Sequence, residues 1–149
     1  GQSGKNTVTL YGYCRESTPG AHIGFMNEKG ESEKIIPPQN IRSWFFYVEV
    51  PAKTVLKPLY LLVNQEKITV MAEPVKHTPV LLERPGILNK VETDTLVPLS
   101  SQTVYRLLPV TATAVNAEQP TVQFIYSIQQ KIKKTPIVPI RMLPPLVLE

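Results

Sequence analysis

Proline stands at 15 of the 149 positions and is spread along the whole chain. Inside a helix a proline removes a backbone donor and clashes with the preceding turn, and in a central strand it leaves a gap in the hydrogen-bond ladder. The chain is therefore expected to be built of short elements with edges, bulges and loops. Between the prolines the apolar residues alternate with period two, and no window of about 11 or more residues carries them at helical spacing. The pattern predicts an all-β chain with strands over 7–14, 21–28, 43–50, 57–64, 67–74, 78–84, 103–115 and 121–132.

Short strands separated by turn signals predict an antiparallel β-sandwich. Six of the seven glycines fall within the first thirty residues, which places the tight turns there. A single domain over 1–149 is expected, because 54 residues after position 95 supply too few strands for a core of their own. The segment RPGILNKVETDT, 84–95, reads as a long loop or a minor boundary. The Pro-rich tail 136–149 reads as an extended edge or a docked tail, a guard over the preceding strand or an integral strand.

Hydrophobic residues at 42% and charged residues at 19% describe a chain that folds. The longest apolar runs, WFFYV and LYLLV, are far short of the ~20 residues that span a bilayer. Gly1 reads as a processed or added end. With one cysteine no internal disulfide forms, and the lack of an Asn-x-Ser/Thr site leans towards a bacterial protein. The net charge is +4, and residues 101–149 carry five of the cations (Arg106, Lys131, Lys133, Lys134 and Arg141) against Glu118 and Glu149. Such a patch attracts acidic partners, although lysines also guard strand edges against unwanted pairing.

Chemistry-bearing residues are few. Cys14 lies eight residues before His22, and a nucleophile needs its base within about 3 Å. Cys14 is in phase with Val8 and Leu10, whereas His22 falls opposite Ile23 and Phe25, so the pleat sends them to different faces. Cys14 is expected in the core. One aspartate, Asp94, and eleven glutamates show no pairing, and the three Cys and His residues lie too far apart in sequence for a zinc site. No catalytic residue, metal or cofactor is assigned.

The strand SWFFYVEV puts Trp44, Phe46, Val48 and Val50 on one face and Phe45, Tyr47 and Glu49 on the other. If Phe45 and Tyr47 are exposed they form a contact patch for a protein or a carbohydrate; the alternative is a strand buried on both faces. Nucleic acid is not expected, because the lysines near 131 lack a flanking aromatic platform.

The run TVYRLLPVTATAVNAEQPTVQFIYSIQQKIKKTPIVP, 103–139, resembles the last hairpin of the first immunoglobulin-like domain of periplasmic pilus-assembly chaperones. Both have a Tyr-Arg strand, then a long alternating strand that ends in a basic-Ile-Lys stretch before proline. The resemblance implies an immunoglobulin-like sandwich, with Lys133, beside Lys131 and Lys134, anchoring a partner's carboxylate. It also implies that Val122, Phe124, Tyr126 and Ile128 form a donated face. The expectation is a non-enzymatic, extracytoplasmic bacterial module of the periplasm or cell surface. It would bind a protein partner through an edge strand in surface or fibre assembly. The rival readings are a carbohydrate-binding module and a small enzyme using Cys14 or His22.

Overall fold

The computed structural model describes residues 8–19, 41–86, 88, 90–111 and 117–148, and the twelve regular elements within them are all strands. In chain order these are β1 (Thr9–Pro19), β2 (Ile41–Val50), β3 (Lys57–Val63), β4 (Glu66–Pro74), β5 (Val80–Pro85) and β6 (Val91–Val97). They are followed by β7 (Thr103–Pro109), β8 (Thr121–Ile128), β9 (Lys131–Lys134), β10 (Val138–Pro139), β11 (Arg141–Met142) and β12 (Leu146–Leu148). The strand expected over 21–28, with His22, lies outside the described residues.

Ten strands form one sheet in the order β10-β8-β3-β4-β7-β2-β1-β11, with β9 added to β8 and β12 to β1. The sheet curls at β4, whose first half pairs with β3 through Glu66–Thr69 and whose second half pairs with β7 through Val70–Pro74. The two ends of the order, β10 and β11, are separated in the chain by Ile140 alone. The tail therefore joins both margins of the sheet: β10 is antiparallel to β8, while β11 and β12 are parallel to β1. Ile140 N–H donates to the Pro120 carbonyl at 2.9 Å and Leu143 N–H to the Cys14 carbonyl at 2.8 Å. Pro139, Pro144 and Pro145 cut this tail into three short strands, because each withholds a ladder donor.

The concave side of the curl holds the main core, in which Cys14, Phe46, Val48, Leu61, Val63, Leu107, Val122 and Phe124 pack together. The alternation expected for the first and aromatic strands is obeyed, and Cys14 points into this core. Gly12 faces the same side at the seam, where a Cβ would stand 2.9 Å from Val122 Cγ1 and 3.3 Å from Ile140 Cγ1. That close approach is what a glycine inside a strand permits.

Two expectations are corrected. The segment 84–95 is not a loop, since β5 and β6 form a hairpin with Leu82 opposite Asp94 and Arg84 opposite Glu92. Charged residues alternate there as regularly as apolar ones, and the charges are paired, so they can face inward. The strand expected over 121–132 is a hairpin, in which Gln129 and Gln130 take φ of 52° and 67° and return the chain as β9. Two consecutive positive φ values match the twist of a tight hairpin. Asn64 and Gln65 do the same between β3 and β4, at 50° and 72°. Glutamine does not advertise this conformation, so the turn at Gln129 and Gln130 is silent in the sequence.

Candidate functional site

The convex side of the curl is treated differently along its length. Over β1, β2 and β7 it carries Tyr11, Tyr13, Phe45, Tyr47 and Val104, and the β5–β6 hairpin packs onto it with Val80, Leu82, Leu96 and Val97. Tyr13 Oη donates to the Leu96 carbonyl at 2.5 Å, which ties the hairpin's base to β1. Tyr47 is buried and Phe45 half-buried, so the strand predicted to offer a contact patch is instead packed on both faces. Burial pushes the Tyr47 phenol above its ordinary range, partly offset by Arg106, and burial raises Tyr13 likewise.

Nearer the hairpin's tip the packing is ionic. Arg15 is buried, and its guanidinium meets Asp94 at 2.5 Å. Asp94 also accepts from Arg84 Nε at 3.2 Å, and Arg84 reaches Glu92 at 2.6 Å. Two arginines and two acids thus neutralise one another under the hairpin, as buried charges require. Two of the twelve acids that showed no pairing in sequence, Glu92 and Asp94, are held here by arginines; Arg84, Glu92 and Asp94 share one face of the hairpin, a signal present in the sequence. Both carboxylates are engaged, so the cluster is a structural fastening. Among the described residues no three His, Cys, Asp or Glu side chains gather as metal ligands.

Cys14 is fully buried, and burial, the largest cause, pushes its thiol up to about 11. At neutral pH it stays protonated and carries little nucleophilic character. His22, its proposed base, lies outside the described residues. Trp44 is half-buried and stacks on Phe46 at 6.2 Å, with Arg42 over its ring at 6.0 Å. Neither it nor the covered pair Phe45 and Tyr47 presents an open aromatic platform.

The expected donated face is also core. Val122, Phe124 and Tyr126 are buried and Ile128 packs against the same cluster. β8 is paired on both sides, with β3 on one and with β9 and β10 on the other. It cannot add to a partner without first losing its own neighbours. Its hydrophobic alternation, read as a face for another chain, belongs to the core of this one.

An edge that the described residues leave open is β9. All four of its residues, Lys131, Ile132, Lys133 and Lys134, are exposed, and among the described residues β8 is its single ladder partner. Its register places Lys133 opposite Tyr126 and Lys131 opposite Ile128, on the core side. There a groove of about 350 Å³ is lined by Lys131 and Lys133 with Val8, Pro51, Tyr126 and Ile128, with no acidic side chain among the described residues. No ion pair among the described residues involves these lysines. On the other side Ile132 lines a second groove of about 410 Å³ with Val55, Leu56 and Leu59. Val55 and Ile132 are 83% and 74% exposed, apolar groups left in water at a strand edge.

No protein-family model matches the chain, and neither a curated protein nor a solved structure matches it. No helix among the described residues is long and apolar enough to cross a membrane.

Proposed function

We propose that the protein is a non-enzymatic module that binds an extended segment of a protein partner along β9, in surface or fibre assembly outside the bacterial cytoplasm. The observation that carries the reading is the edge of β9, which has no second ladder partner among the described residues, with Lys131 and Lys133 overhanging a groove that holds no acid among them. Main-chain groups on an open edge supply affinity for any extended peptide, and side-chain pockets supply the choice among peptides. Two lysines with no counter-ion among the described residues select carboxylates. Lys133 takes the anchoring role that the resemblance to pilus-assembly chaperones implies, with Lys131 beside it. The two halves of the curled sheet, facing one another across one core and sharing β4, support an immunoglobulin-like sandwich as its frame.

The edge differs from the one the resemblance implies. It is β9, four residues long, in place of the alternating strand β8. Lysines on a short edge also deter casual pairing, so the same residues admit an acidic strand and repel a neutral one.

Amide chemical-shift mapping tests the reading. Adding a short acidic peptide in extended form should perturb residues 131–134 together with Val8 and 51–54, with little change at the β5–β6 hairpin. The double change Lys131→Glu and Lys133→Glu should abolish the effect while leaving the unperturbed spectrum folded. Perturbations that avoid β9, or that survive the charge reversal, would overturn it.

A further inference from the structure

We infer that the strand accepted by β9 alternates between acidic and large apolar residues, a pattern that neither charge nor hydrophobicity alone would select. The inference rests on the edge-strand reading above and adds the partner's chemistry to it.

Register and groove lining agree independently on how β9 sorts its side chains. Lys131 and Lys133, opposite Ile128 and Tyr126, line the core-side groove, which has no acidic side chain among the described residues; Ile132, opposite Ser127, lines the groove on the other side with Val55, Leu56 and Leu59, whose rim carries Lys57, Gln129 and Gln130. A strand added to β9 continues the pleat, so its successive side chains go to opposite faces. Partner residues two apart fall beside Lys131 and Lys133, where carboxylates complement them. The residue between them falls beside Ile132, where an apolar side chain covers surface that Ile132 and Val55 now leave in water. Lys134, on the same face as Ile132 and opposite Ile125, ends the apolar stretch. The recognised core is therefore acidic, apolar, acidic.

A second copy of this chain is the poorer occupant. Pairing β9 with β9 would set lysines against lysines, and like charges directly opposite are destabilising in a sheet.

Fluorescence anisotropy on the intact protein decides the matter with two labelled peptides of one composition. One alternates Glu and Val; the other carries the same residues as a Glu block followed by a Val block. The alternating peptide should bind about tenfold more tightly, the worth of one apolar side chain placed correctly. Ile132→Asp should erase that advantage, and because Ile132 is exposed the variant should fold. Equal affinity for the two peptides would overturn the pattern while leaving an acidic edge ligand in place. Binding of neither would overturn the edge reading itself. A dimer in sedimentation that the alternating peptide does not dissociate would assign the edge to a second copy and overturn the proposal.

Discussion

The two convex halves of the curled sheet begin with the same raw material and end in opposite states. Over β1 and β2, tyrosines and a phenylalanine are sealed beneath the β5–β6 hairpin, and the charges at its tip are paired. Over β3, β8 and β9, Tyr60 carries Lys67 above its ring at 4.4 Å, and Ile132 and Lys134 lie in the open. The difference is one added layer. Where that layer exists, exposed-looking aromatics become a second core; where it stops, the sheet keeps an edge whose lysines make no ion pair among the described residues. An aromatic strand is thus a poor guide to an exposed surface in this fold.

The comparison breaks most readily on the covered side. Replacing Phe45 and Tyr47 together with alanine should cost roughly 5 kcal/mol, since large aromatics are lost from beneath the hairpin. Denaturant unfolding measures it. A change within about 0.5 kcal/mol would mean that the two rings behave as surface groups and that the hairpin does not cover them.

Asp94 tests the ionic part of the same cover. Asp94→Ala leaves Arg15 buried without its counter-ion, which should cost about 3–5 kcal/mol, whereas replacing Arg15 and Asp94 together with apolar residues should cost much less. The two thermal midpoints, read side by side, separate a fastening from an incidental surface pair.

The smallest of the expected effects is in pH. The buried Cys14 thiol is raised from 9.0 to about 11, so the folded state holds its proton more tightly than the unfolded chain does. Its contribution is complete below pH 9 and is lost as pH climbs towards 11, on the order of 2 kcal/mol. Tyr13 and Tyr47, raised by burial beneath the hairpin, prolong the loss above pH 10. Thermal unfolding from pH 8 to 11 should show this decline, and Cys14→Ala should flatten its first part. An unchanged slope in that variant would contradict a buried thiol.

Local pattern alone determined the strand class, the approximate position of most described strands, and which residues of each strand share a face. Cys14 in phase with Leu10, and Trp44, Phe46, Val48 and Val50 on one side of β2, follow from a side-chain period of two that no tertiary contact alters. Which face is buried, and by what, was decided elsewhere. The sealing of Phe45 and Tyr47 requires a hairpin some forty residues further along, and that hairpin hid from the sequence because its inward residues Arg84, Glu92 and Asp94 are charged. The reversal at Gln129 and Gln130 turned one expected strand into two and made β9, not β8, the edge. The tail's three short strands draw their partners from β8 and β1, at opposite margins of the sheet. Alternation is a property of neighbouring residues, whereas cover, edge and closure depend on segments far apart in the chain, and only the folded sheet brings those together.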